Sequence, residues 1–476
     1  MRLNYFAFKQ LGEEYLITND TGRHLFLSRE SLDRLVADPA ELDEATRDAL
    51  VGRHFLLAGP ESELAAVEAT RCHESHLLSA TQLHILVLTN ACNHVCTYCQ
   101  ASASRVAKRR INMSIETARR CIDVAFSSPA ASITIEFQGG EPLLNFKTLR
   151  YVVEEATRKA EASGKSVAFT IVTNLSLLDE DKLRFLVDSG IDVCTSLDGP
   201  ADLHNSNRPY PGHDAYESTT QALTDVQAEL AKTGDRRRAQ ALMTTTRASL
   251  GRSREIIDQY LGLGLDSIFI RPLTPLGQSA VEWQRIGYEP EQFVTFYAEC
   301  LDYLASVNSD RLRIREFHTD IFLRKILGRE QVNYMELRSP CGGVLGQLAY
   351  DCDGSVYTCD EGRMLAATGD ESFRLGTVHD QEFAALIAGR TATTICSASC
   401  LESIPSCCDC VYVPYCGTCP VINLAESGDV FPRPGSYRCK LYEGMLDAVF
   451  SRLRSGGFPR SMLDCDERQE VHEALT

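Results

Sequence analysis

The sequence predicts an α/β fold centred on a partial barrel of six parallel βα units. Three observations carry that prediction. Between residues 79 and 330, β-rich apolar runs alternate with amphipathic segments of helical spacing, the pattern that builds parallel sheets. Cys92, Cys96 and Cys99 directly follow the first apolar run, and in such barrels the reactive groups sit at the C-terminal ends of strands. After Leu337 the texture changes: Cys and Gly recur, strands shorten, and no long helix is expected before Leu441–Leu453.

The 476 residues exceed what one core usually organises, so two or three domains are expected. Their bounds are read as 1–78, 79–330 and 331–476. A composition 44% hydrophobic and 24% charged is that of a soluble globular protein. A formal charge of -17 argues against a nucleic-acid partner, because phosphates would be repelled. No apolar run is long enough to span a membrane, and Met1–Lys9 is too short and mixed for a signal peptide, so a cytoplasmic location is expected. Nineteen cysteines in a reducing compartment are poor disulfide candidates. Eleven of them crowd between Cys341 and Cys439, which favours metal binding over buried thiols.

Residues 1–78 read as a small α+β, winged-helix-like module. Asn19-Asp-Thr-Gly22 between Tyr15-Leu-Ile-Thr18 and His24-Leu-Phe-Leu27 predicts a β-hairpin, and Ser28 is placed to cap a helix running to Val36. In the central region the expected strands are Leu83–Leu88, Ser132–Phe137, Ser166–Thr173, Asp192–Leu197, Gln240–Thr245 and Ser267–Ile270. Helices are expected over Ser114–Phe126, Asn145–Ala162, Asp179–Ser189 and Arg252–Leu263.

The chemistry-bearing motifs fall at strand ends. Three thiolates at spacings of four and three can face one point, and soft thiolates select zinc or iron–sulfur clusters. A [4Fe-4S] cube takes four ligands, so three cysteines leave one iron open, as a catalytic metal requires. Tyr98 lies between the last two thiols, either against that iron or in the core. Gln138-Gly139-Gly140-Glu141-Pro142 ends the second strand; its glycines permit close backbone approach, and Glu141 offers an acceptor to an ammonium group. Asn174, Ser196 and Asp198 end the third and fourth strands, with His204 and Arg208 just beyond. Each of these motifs alone reads as a turn or helix cap.

Taken in this order, the motifs resemble the radical S-adenosylmethionine (radical SAM) enzymes. The resemblance implies a [4Fe-4S] cube on Cys92, Cys96 and Cys99 whose free iron chelates S-adenosylmethionine. Tyr98, Gln138, Gly139, Gly140, Glu141, Asn174, Ser196 and Asp198 would then contact that cofactor.

The later cysteines resemble the seven-cysteine SPASM extension, which carries one or two auxiliary [4Fe-4S] clusters. That resemblance assigns Cys407, Cys410, Cys416 and Cys439 to one cluster and Cys341, Cys359 and Cys419 to a second. Only two residues separate Cys416 from Cys419, where the family usually has three. Cys352 is a candidate fourth ligand of the second cluster; otherwise that position is open to a peptide. A zinc knuckle built on Cys407, Cys410, Cys416 and Cys419 stays open as an alternative. Asp360 follows Cys359, where sulfatase-maturing relatives place a proton-accepting aspartate; its other reading is an exposed acidic turn. Cys72, Cys121, Cys194, Cys300 and Cys465 read as buried hydrophobes, and Cys396, Cys400 and Cys408 have no assignment.

The whole-length pattern is most similar to the His-Xaa-Ser system radical SAM maturases. It implies a peptide maturase that splits S-adenosylmethionine to a 5′-deoxyadenosyl radical and cross-links or otherwise oxidises a ribosomal precursor peptide or protein. An electron donor such as flavodoxin or ferredoxin is implied, and neither nucleic acid nor membrane is an expected partner. The N-terminal module would bind the precursor at a sheet edge, or else act as a packing or lid domain. The alternatives are a sulfatase-type maturase forming formylglycine in a protein partner, and a zinc-stapled binding module.

Overall fold

A computed structural model of the chain describes residues 1–103, 112–234, 237–309, 312–328 and 332–463; Cys465 lies outside them. The chain opens with β1 (Arg2–Leu3), β2 (Ala7–Leu11), β3 (Glu14–Thr18) and β4 (His24–Leu27), and β5 (Leu56–Leu57) returns to pair with β1. β2, β3 and β4 form an antiparallel meander. The expected hairpin turn is closed by the Gly22 amide on the Asn19 carbonyl at 2.9 Å. Gly22 is needed there twice over: its φ is +69°, and a Cβ would stand 2.6 Å from the His73 ring. The helix Arg29–Ala37 starts where expected, with Ser28 accepting the Ser31 amide. It buries Leu32 and Leu35 with Ile17, Leu27 and Phe55 in a small core of their own.

Six parallel strands follow: β6 (Leu83–Thr89), β7 (Ser132–Gly139), β8 (Ser166–Thr173), β9 (Ile191–Ser196), β10 (Gln240–Thr244) and β11 (Ser267–Arg271). Each matches its expected range within two residues, because short apolar runs bounded by caps are locally legible. They pair in sequence order, and β12 (Arg315–Glu316) extends the far edge. The expected helices form over Ile115–Phe126, Phe146–Ser163, Glu180–Asp188 and Ser253–Gly262.

The C-terminal region is less independent than its texture implies. β13 (Gln347–Tyr350) adds in parallel to the β6 edge, and β14 (Ser355–Tyr357) and β15 (Arg374–Thr377) continue antiparallel to make a ten-stranded sheet. All four β13 residues are buried. The run is too short to read as a strand by itself, and only the exposed edge of β6 makes it one. Helices also form over Asp360–Ala367, Arg390–Ser399 and Pro420–Ser427. The last long helix begins at Tyr437 rather than Leu441, since Ser436 caps it through the Cys439 amide at 3.3 Å.

The N-terminal sheet packs on this region. Thr18 Oγ1 donates to the Val411 carbonyl at 2.7 Å, Tyr5 donates to Cys408 at 2.6 Å, and Tyr415 donates to Gly22 at 3.1 Å. Lys9 bridges Glu443 and Asp447 at 2.8 and 2.9 Å. No helix among the described residues is long and apolar enough to cross a membrane.

Candidate active site

The loop after β6 carries Cys92, Cys96 and Cys99, and its neighbours hold it through the backbone. Val95 and Thr97 donate to the carbonyls of Pro209 and Asn207, both at 2.8 Å, while the Gln278 amide donates to Cys99 at 2.9 Å. The two glycines after β7 press on the same loop. A Cβ at Gly139 would stand 2.2 Å from the Thr89 carbonyl oxygen, and one at Gly140 would stand 2.0 Å from that of Ala91. Their lack of a side chain thus serves contact with the cysteine loop itself, where the sequence suggested approach to a ligand.

Glu141 is fully buried, and its carboxylate accepts from Thr173 Oγ1 at 2.7 Å, the Asn174 amide at 2.8 Å and the Leu143 amide at 3.0 Å. Burial raises its pKa, and these donors oppose the rise. Three of about four acceptor positions are therefore occupied by the chain. The group expected as a free acceptor for an ammonium ties the end of β7 to the end of β8.

Asp198 behaves in the same way. Fully buried, it accepts from the Tyr98 hydroxyl at 2.6 Å, Arg208 Nε at 3.2 Å and the Thr244 amide at 3.2 Å. Arg208 also lies 5.1 Å from the centre of the Tyr98 ring. The Tyr98 ring is itself buried. Asn174 donates to Asn93 Oδ1 at 2.9 Å, another tether on the cysteine loop. Ser196, at the end of β9, is buried beside Asp198. His204 is buried with its Nδ1 accepting the Asp198 amide at 3.3 Å.

Burial pushes the Cys92 and Cys96 thiols up to about 12, and the charges of the neighbouring cysteines add to the rise. Such thiols stay protonated until a cation binds them, so metal loading releases protons. Cys407, Cys410, Cys416 and Cys439 bear on one another electrostatically, and burial takes Cys416 up to about 12. Cys341, Cys359 and Cys419 form a second such set, all raised chiefly by burial. Sγ of Cys341 and of Cys359 accept amides from Gly343 and Gly362, both at 3.4 Å, contacts that stabilise thiolate or cluster sulfur. Cys352 sits elsewhere: β13 delivers it to the root of the first cysteine loop, where Asn90 Nδ2 donates to its sulfur at 3.1 Å.

Among the described residues no three His, Cys, Asp or Glu side chains are gathered tightly enough to clasp a single metal ion. In a cubane each thiolate takes a different iron, and sets of three and four thiols are donors of the right chemistry for such a cluster.

A cavity of about 600 Å³ fills the lumen inside the strands. Gln138 and Asp360 line it, and so do Glu136, Arg271, Glu336 and Glu361, which sequence reasoning missed. Period-2 alternation along β7 places Glu136 and Gln138 on one face, a signal masked by the apolar residues between them. Asp360 pairs with Arg363 at 2.6 Å and is buried, which excludes the exposed-turn reading. Arg271 bridges Glu336 at 3.1 Å and Glu361 at 3.3 Å, and Arg438 meets Glu336 from the other side at 3.3 Å.

Residues 86–229, from β6 past the end of β9, match the family model of the radical SAM superfamily. Over that stretch the chain carries a radical SAM domain, the domain of an enzyme superfamily. Radical SAM enzymes use a [4Fe-4S] cluster and S-adenosylmethionine. The chain is 25% identical to the cysteine-type anaerobic sulfatase-maturating enzyme of Clostridium perfringens strain 13, over 77% of this chain and 95% of that protein. In fold it is similar to anSMEcpe with bound AdoMet, at TM-score 0.69 and 21% identity, over 83% of this chain and 99% of that one. It is similar as well to Streptococcus suis SuiB bound to the precursor peptide SuiA, at TM-score 0.55 and 12% identity, over 92% and 99%. Each of these similarities runs well beyond residues 86–229, over 77% to 92% of this chain.

Proposed function

We propose that this enzyme is a peptide-modifying radical SAM maturase that forms a cross-link or another oxidative modification in a ribosomally made precursor. The observation that carries this reading is a three-thiol loop at the C-terminal end of β6, in a sheet whose strands enclose a cavity of about 600 Å³, room for a substrate side chain.

The donor set suits the implied groups. Cys92, Cys96 and Cys99 would hold the first cluster; Cys407, Cys410, Cys416 and Cys439 an auxiliary one; and Cys341, Cys359 and Cys419 a second. When bound and given one electron by an external donor, the first cluster and S-adenosylmethionine would supply radical chemistry able to take a hydrogen atom from an unactivated carbon.

The chain's own residues position and insulate. Gly139 and Gly140 fix the cysteine loop from below, while Glu141, Asn174 and the Tyr98–Asp198–Arg208 cluster hold its flanks. Backbone groups of residues 139–141, with Asn174, Ser196 and Gln138, would form the wall met by S-adenosylmethionine. The inserted β13 closes one side of the sheet and limits water access. The meander's outer strand, β2, pairs with β3 alone among the described residues and exposes Phe8, which supports docking of an extended precursor segment along that edge.

A sulfatase-type maturase is the second reading. The C. perfringens relative favours it, and so does Asp360, a carboxylate that lines the cavity beside Cys359 and would accept a proton there.

Anaerobic reconstitution followed by reduction with S-adenosylmethionine present tests the core of the proposal. Wild-type protein should release 5′-deoxyadenosine, and the Cys92→Ala, Cys96→Ala, Cys99→Ala variant should release none. Release from that variant would refute the assigned cluster. Co-expression with a precursor then separates the two readings by mass: loss of two hydrogens for cross-linking, formylglycine for the other.

A further inference from the structure

Glu136 is a half-buried carboxylate of the lumen wall that no arginine contacts in an ion pair among the described residues, although the Arg271 charge reaches it from a distance. Asp360 is matched by Arg363, Glu336 by Arg271 and Arg438, Glu361 by Arg271, and Asp192 by Arg237 at 3.9 Å. Asp266 lies exposed at the lumen's outer rim. Glu136 stands in no ion pair among the described residues; its oxygens accept only neutral donors, Gln138 Nε2 and, at 3.3 Å, Thr170 Oγ1. Its accessible surface faces the cavity it lines. A carboxylate held this way in a low-dielectric cavity attracts a cation far more strongly than one in water.

The same cavity has matching chemistry. Phe269 on β11 and Phe317 pack with centroids 4.5 Å apart and rings tilted by 34°, Tyr334 meets Phe317 edge-on at 5.2 Å, and all three line the same cavity. Aromatic rings sharing a cavity with a carboxylate in no ion pair favour a cation with an apolar stem. Depth fits too: Glu136 lies two residues below Gln138 on β7, beside Ile85 of β6, or about 7 Å further in at the strand's rise. A long side chain is needed to span that distance.

Resting on the maturase reading above, we infer that the lumen selects a lysine or arginine of the substrate peptide, whose cationic head pairs with Glu136 while its stem lies along Phe269, Phe317 and Tyr334. Glu136 thereby sets specificity, and it fixes which neighbouring residue of the peptide is presented at the cysteine loop.

The test is calorimetric titration of anaerobically reconstituted full-length protein, with S-adenosylmethionine bound, using capped Gly-X-Gly peptides. X is lysine, arginine, norleucine or citrulline, the last two matching the first two in shape without charge. The cationic peptides should bind about tenfold or more tightly than their neutral counterparts, and Glu136→Gln should erase the difference. Equal binding of arginine and citrulline peptides by wild type, no binding of any peptide, or a preference that survives Glu136→Gln would overturn the inference. The wild-type comparison decides the matter even should the variant fold poorly. Release of 5′-deoxyadenosine by the same wild-type sample tests the maturase reading separately, so either can fail without the other.

Discussion

Gly140 and Ala91 meet backbone to backbone: the Glu141 amide donates to the Ala91 carbonyl at 2.8 Å, and a Cβ on Gly140 would stand 2.0 Å from that oxygen. Two strand ends are thus pressed together so that one carries the cysteine loop and the other braces it. Gly140→Ala must push the loop away. It is expected to cost about 1–3 kcal/mol, as overpacking does, and to lower iron uptake at Cys92, Cys96 and Cys99. Chemical denaturation and iron content after reconstitution measure both effects; unchanged iron would show that the brace is dispensable.

The buried pair of Asp198 and Arg208 is the second support. With exposures of 0% and 9% for the two side chains, Asp198→Asn strands a guanidinium charge away from water, at a cost of about 3–5 kcal/mol. Urea unfolding should report that loss. The double variant Asp198→Asn, Arg208→Met should recover part of it, because the stranded charge is gone.

His24 links stability to pH. Burial against Phe450, with centroids 5.4 Å apart, lowers its pKa from 6.5 to about 4. Between those values the unfolded chain binds the proton and the folded chain does not, so this contribution to stability rises with pH from about 4 to 6.5 and is lost as pH falls through that window. A shift of this size corresponds to about 3 kcal/mol. Thermal unfolding of His24→Phe should depend less steeply on pH across that window than wild type. Identical slopes would mean that the ring is hydrated at the interface.

Iron stoichiometry separates the C-terminal cysteines. Cys439→Ala should lose about four irons per chain on reconstitution, one cube's worth. Cys352→Ala should lose none, since its sulfur meets Asn90 while Cys341, Cys359 and Cys419 bear on one another. Zinc in place of iron after reconstitution of wild type would revive the zinc-stapled reading.

Legibility in the sequence followed locality. The six strands and four helices of the central region were readable because caps, apolar runs and turn residues act within a few positions. The strand β13 was not, because Gln347–Tyr350 becomes a strand only by meeting β6, more than two hundred residues earlier. The start of the last helix was missed for a smaller reason, the Ser436 cap.

The same division runs through the site. By itself, the order of residues determined where the thiols lie, how far apart they fall along the chain, and that Gly139 and Gly140 mark a close approach. Only the tertiary structure decided what is approached, that Glu141 and Asp198 spend their oxygens on the chain, and that Glu136 lines the lumen in no ion pair among the described residues. Those outcomes depend on which side chains arrive together from distant strands, and burial then sets the energy of every pairing made or missed.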